Sequence, residues 1–382
     1  MKRFLLLLLA FLAVAVRPSS AAPKTPLRYS RHIVIAASNT NPQDKKLADF
    51  VCTGKNDERV INKAIEKLKY GGTIQLLDGD YNIDAFEQDG NSAIYFGFND
   101  GNARTISLVG TTENKSYNTR FGVTLHVTEK AFSTMNDKEV YRVFYGTAQK
   151  PEYEGVFFKY TYINNVNFEN FYLYFFNAQK KLIGIDCRRF GNSDIRQVGV
   201  YTESYFEDRF LHRKPATPVE GCIGICTTKG ANDEMSRLGL DTVSAGGLYA
   251  GFCFCGVEHL VMKQCTTARC VIGYLFDRGG HKTLTMINCC DEGNTHLPVF
   301  NGSGQITMID FNIERLSAKN IPDDPTGNEE HHAYEKKPGG WHGFISYTMG
   351  GRAFGLTSFW AEGSGKNFKT IDLKTEAATW DL

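Results

Sequence analysis

The sequence predicts an all-β chain wound as a parallel β-helix, a solenoid with a short N-terminal capping helix, and three observations predict it. Four segments of the second half share one apolar alternation at short, near-constant spacing. A second, glycine-led column runs in phase with them, and a lone amphipathic helix passes directly into strands.

In chain order, Lys2 and Arg3 precede an apolar run from Phe4 to Val16, and Arg-Pro-Ser-Ser-Ala-Ala follows. That is the pattern of a secretory signal peptide over residues 1–22, cleaved after Ala21 or Ala22. The run is well short of the roughly 20 residues needed to span a bilayer. A secreted protein with no membrane contact after cleavage is the expectation. Residues 23–47 read as an N-terminal extension, and 48–368 as the solenoid.

The solenoid opens at 48–83 with ADFVCTGKNDERVINKAIEKLKYGGTIQLLDGDYNI. Asn56 or Asp57 is placed to cap a helix with Val60, Ile61, Ala64, Ile65 and Leu68 on one face, and Gly71 and Gly72 end it. Strands follow from Thr73 to Leu77 and from Tyr81 to Ile83, around Asp78-Gly79-Asp80. Such a helix suits a cap over unpaired sheet edges.

The repeats are Leu260–Cys265, Leu284–Cys289, Ile306–Phe311 and Phe354–Phe359. Their last residues step by 24, 22 and 48, the last step being two rungs or one rung with a long insertion. A period this short fits one turn of a solenoid, whose rungs bury their apolar faces only by stacking. The second column is Gly184-Ile, Gly224-Ile, Gly251-Phe, Gly273-Tyr and Gly343-Phe. A polar residue, Gln264, Asn288, Asp310 or Ser358, precedes each aligned Cys or Phe, where a rung should turn; this column is assigned to structure. The polar, Pro- and Gly-rich stretch 317–340 reads as an inserted loop, and 369–382 as a C-terminal tail.

The net charge of +1 argues against nucleic acid as a partner. Ten cysteines in so large a chain read as buried thiols, with one or two bridges between neighbouring turns as the alternative. Their spacing is unlike that of zinc ligands, and no metal site is assigned; His331-His332 lacks spaced partners.

The opening segment resembles that of the pectate-lyase-like superfamily, and the rungs resemble its right-handed parallel β-helix. The stretches Gly251 to Tyr274 and INCCDEGNTHLPVF through ITMIDFNIE to FWAEGSGKNF are similar to β-helix proteins of gut bacteria and their phages, tail-spike-like ones included. The resemblance implies a fold and a carbohydrate partner. The Asp-Asp and Ser-His-Gly pairs of polygalacturonases and the Arg-x-Pro-x-x-Arg segment of pectate lyases are absent from the sequence, so no catalytic residue is carried over.

Chemistry is therefore read from position. Three residues beyond Cys289, Phe311 and Phe359 stand Glu292, Glu314 and Glu362. Rungs about 4.8 Å apart would set neighbouring carboxylates near the 5 Å of a retaining glycosidase, which makes Glu292 and Glu314 the candidate catalytic pair. A solvated face and a Ca²⁺ site are the competing readings of that column. Asp277 is a further catalytic candidate, with Arg278 and His281 beside it as substrate contacts. Glu362, the aromatic platform Trp360, and Asp186 with Arg188 complete the candidate binding residues. Hydrolysis of a polysaccharide needs no cofactor, whereas a lyase would call for Ca²⁺. The alternative is a non-catalytic solenoid that binds a polysaccharide or cell-surface glycan, as a trimer if it is fibre-like.

Overall fold

The structure is a computed structural model that describes residues 31–97, 104–111, 122–146, 165–188, 190–203, 205, 218–227, 235–254, 256–276, 283–292, 307–309 and 311 in full. It also gives the backbone of the strands Tyr153–Glu154, Phe157–Phe158, Leu297–Asn301, Phe311–Glu314, Ile345–Ser346 and Phe359–Ala361. The signal segment, the 317–340 loop and the 369–382 tail lie outside the described residues.

Among the described residues the fold is all-β, and its strands pair in parallel except for one small hairpin. Three ladders run side by side. The first joins Arg31–Ala36, Gly72–Leu76, Thr105–Gly110, the leading halves of Asn165–Phe175 and Asn192–Thr202, then Met235–Asp241, Val257–Lys263, Thr283–Ile287 and Thr307–Ile309. The second joins Gly79–Ile83, Val123–Val127, the trailing halves of the same two long strands, Ser244–Gly246, Thr266–Ala268, Cys290–Glu292, Phe311–Glu314 and Phe359–Ala361. The third runs from Ser92–Tyr95 through Tyr141–Tyr145, Leu182–Asp186, Ile223–Cys226, Ala250–Phe254, Ile272–Phe276 and Leu297–Asn301 to Ile345–Ser346. Each pass of the chain visits all three in turn, which is consistent with a β-solenoid. The sheet begins at Arg31, within the stretch read as an extension.

Register explains the sequence columns. Ile74, Leu108, Phe168, Ile195, Leu240, Met262, Met286 and Met308 stand opposite one another along the first ladder and are buried. Rung spacing falls from 60 residues between Thr105 and Asn165 to 22 between Thr242 and Gln264. The insertions therefore concentrate in the first half. Phe311 pairs directly with Phe359, so the 48-residue step is one rung with an insertion. Between the first two ladders the chain turns through Asn170, Gln197, Thr242, Gln264 and Asn288, each with φ between 49° and 61°. Gln264 and Asn288 of the polar column thus belong to a row of left-handed residues, the conformation Asn tolerates best among non-glycines, while Asp310 and Ser358 lie outside the described residues.

The helix Asp57–Glu66 follows a left-handed Asn56 whose side chain makes no capping hydrogen bond. Asp57 is used differently from a cap, its two oxygens accepting from the backbone N–H of Gly54 and of Asn82. Farther along, Glu58 accepts from Asp84 N, while Asn62 donates to Ala93 O (2.7 Å) and accepts from Tyr95 N (3.0 Å). These last two groups belong to Ser92–Tyr95, the edge strand of the third ladder. Nine cysteines are thiols among the described residues, seven of them buried. No helix among the described residues is long and apolar enough to cross a membrane.

Candidate functional site

The second ladder turns one face to the core and the other outward. Leu125, Leu173 and Val200 point in, so their neighbours His126, Tyr174 and Tyr201 stand on the outer face, in register with Asn82 on one side and with Gly246, Ala268, Glu292 and Glu314 on the other. At the N-terminal end of this face lies a cleft of about 430 Å³. Successive rungs line it: Ser38 and Asn39 after the first strand, then Asp80 and Asn82, His126, Tyr174, and finally Glu203.

His126 Nε2 lies 3.2 Å from Asp80 Oδ1. Asp80 is itself fixed by Asn39, whose Nδ2 donates to Asp80 Oδ2 (2.7 Å) and whose Oδ1 accepts from Asp80 N (2.8 Å). A carboxylate oxygen only accepts, so Nε2 is the nitrogen that donates to Asp80, and in the neutral imidazole Nδ1 is the one with the lone pair. The imidazole stacks on Tyr174 at 5.6 Å and 20°, and the stack continues through Tyr201 to Tyr205. Tyr201 donates to Ser244 Oγ, and burial pushes its phenol well above the usual tyrosine range. Histidine thus ends a rigid aromatic row and faces a cleft with an exposed carboxylate, Glu203, at its far wall.

The sequence candidates fall elsewhere. Glu292 is half-buried and sits directly opposite Glu314 in the parallel ladder, as the common offset requires. Ala361 pairs with Ile313 and Trp360 with Asn312, which carries the same register one rung on. The side chains of Glu314 and Trp360, and all of Glu362, Asp277, Arg278 and His281, lie outside the described residues. Asp186 is 0% exposed. Its carboxylate holds Arg142 Nε at 2.6 Å and takes Arg188 through Nε and Nη2, and both guanidiniums lie over the Tyr145 ring. Burial opposes the charge of Arg188, but the Asp186 hydrogen bond and charge prevail and raise its pKa. Asp186 and Arg188 therefore tie neighbouring rungs of the third ladder to each other.

Asp80, His126, Tyr174 and Glu203 were not singled out by sequence reasoning. The available signal was the alternation in Val123-Thr-Leu-His-Val127, which leaves His126 outward between buried residues. No family model matches the chain, and neither a curated protein nor a solved structure matches it significantly.

Proposed function

We propose that the chain is a secreted, carbohydrate-active right-handed parallel β-helix of the pectate-lyase-like kind that hydrolyses a polysaccharide in the cleft above Asp80 and His126. The signal-like N-terminus supports secretion. Parallel crossovers are right-handed in about 98% of cases, which supports the hand. The side chains that Asp57, Glu58 and Asn62 offer to strand N–H and C=O groups support the helix as an N-terminal cap.

The observation that carries the chemistry is the Asp80–His126 dyad, held by Asn39 and stacked on Tyr174, in a cleft closed by a second carboxylate. His126, its tautomer set by Asp80, acts as general base toward water, and Glu203 as general acid toward the leaving oxygen. The strand carrying His126 lies two ladder steps, about 9.6 Å, from the strand that leads into Glu203. That separation is at the upper end of the roughly 6.5–9.5 Å of the wide, inverting arrangement with room for water. Of the stacked rings only His126, at the end of the row, is open to the cleft and can meet a sugar ring.

A second reading keeps Glu292 and Glu314 as the reacting pair, because their register sets them one step, about 4.8 Å, apart, as retention requires. One experiment separates the two. The purified protein is incubated with a panel of polysaccharides while reducing ends and unsaturated uronides are measured. His126→Ala and Glu203→Gln should each lower turnover roughly a hundredfold to ten-thousandfold, with Glu292→Gln and Glu314→Gln near wild type. The reverse pattern moves the reaction to the glutamate pair. Glycan binding without product from any polysaccharide would make the solenoid a binder, and unsaturated product would make it a lyase.

A further inference from the structure

The core contains a pair of sulfurs that the cleft does not use. Lys263 stands opposite Ile287 and Thr266 opposite Cys290, so Cys265 and Cys289 occupy the same corner of successive rungs. Each follows a left-handed residue, Gln264 (φ 49°) or Asn288 (φ 50°), so the two backbones turn alike and the side chains project in parallel. Both are buried in the main core, where Cys265 Sγ donates to Lys263 O and Cys289 Sγ lies against Met262 O on the neighbouring rung, so the two thiols sit in each other's field. Cys290 N donates to Cys265 O at 2.8 Å, which clamps the two corners together.

We infer that Cys265 and Cys289 form a disulfide that staples one rung to the next under oxidising conditions. Residues opposite each other in a ladder lie about 4.8 Å apart at Cα, inside the range a disulfide accepts. Parallel side chains keep nearly that separation at Cβ, where a relaxed disulfide needs about 3.8 Å. The staple is therefore somewhat strained, and strained disulfides are the readily reduced ones. Burial pushes the Cys265 thiol up, so the bond forms while the corner is open, during folding or local unfolding, rather than in the closed core.

A small-molecule disulfide such as oxidised glutathione is the oxidant. The thiolate of one cysteine attacks it and releases one glutathione thiol. The second cysteine, giving up its proton, then displaces the other glutathione from the mixed disulfide. One S–S bond forms in the protein, one is lost from glutathione, and two electrons pass to the oxidant. The inference stands whether or not the cleft cleaves a glycan.

The same corner holds Val198 and Val243 two and one rungs earlier, after Gln197 and Thr242, so valine is a tolerated occupant. The test refolds the full chain in glutathione buffers of graded oxidised-to-reduced ratio, blocks remaining thiols by alkylation, and maps unreduced peptides by mass. A Cys265–Cys289 linked peptide should accumulate as the ratio rises. The midpoint of thermal unfolding should rise with it by roughly 3 to 6 °C. Cys265→Val should fold and lose both responses. Where refolding fails, the same mapping on chain secreted by an expressing cell gives the answer. Recovery of both cysteines alkylated at every ratio overturns the inference, as does linkage confined to another pair such as Cys226 with Cys253, which also face each other across a ladder.

Discussion

Glu58 shows at the scale of one residue what it costs to seat a helix against strand ends. It is 2% exposed, and one carboxyl oxygen accepts from Asp84 N while the other has no hydrogen-bond partner. Burial, with the charge of Asp84 beside it, pushes its pKa up to about 7 against the pull of the Asp84 N–H. A carboxyl whose folded pKa lies above its unfolded value favours folding when protonated. That contribution is fully present below pH 4.5 and is lost as pH rises through 7. The loss is on the order of 2–3 kcal/mol, so urea midpoints measured from pH 4 to 9 should fall over that interval. In Glu58→Gln, whose amide oxygen can still accept from Asp84 N, this part of the fall should disappear; an unchanged profile would place the titration elsewhere. The sequence made the helix plain through its apolar spacing. It did not show that Asp57, Glu58 and Asn62 turn toward strands, because those partners lie about 25 to 33 residues away and no local pattern encodes them.

Among the elements, the glycine column of the third ladder was legible as a repeat but not as a constraint. A Cβ on Gly184 would lie 2.6 Å from Gly224 O, one on Gly224 2.5 Å from Gly251 O, and one on Gly251 2.7 Å from Thr267 Cγ2. At Gly184 and Gly224 the nearest obstacle is the carbonyl oxygen of the next rung in the same ladder, with Val200 and Ala245 of the second ladder at 3.0 and 3.3 Å behind it, so only hydrogen fits. Gly224→Ala should therefore destabilise the protein by about 2 kcal/mol, although alanine ordinarily suits a strand no worse than glycine. Urea denaturation at a single pH checks it, and a neutral result would mean that the Gly251 rung can shift away from the new methyl without cost. Both columns were visible in the second half because the rungs between Met235 and Ile309 recur every 22 to 24 residues. In the first half, insertions stretch the rung to as many as 60, and no repeat aligned Asn82, His126 and Tyr174, with Asp80 beside them, before the ladder register did. The cleft was illegible for that reason, whereas the facing of Glu292 and Glu314 was deduced from offset alone.

At the scale of the whole molecule, each rung touches chiefly the rung before and the rung after, so stability should behave as a row of nearest-neighbour terms. The helix Asp57–Glu66 reaches this row through Asn62, which bonds the edge strand Ser92–Tyr95 from which the third ladder starts. Asn62 donates to Ala93 O and accepts from the Tyr95 N–H. Asn62→Ala removes both hydrogen bonds, at about 0.5–1.5 kcal/mol each. In a row of neighbours that loss is felt first at Ser92–Tyr95, next at Tyr141–Tyr145, and fades over the following rungs. Hydrogen exchange should therefore speed up at Ser92–Tyr95 and to a smaller degree at Tyr141–Tyr145. The amides of Val257–Lys263, on a first-ladder strand several rungs away, should keep their wild-type rates. A uniform rise in every rung would show instead that the array opens as one cooperative unit, and the helix would then be holding the whole stack rather than its first turn.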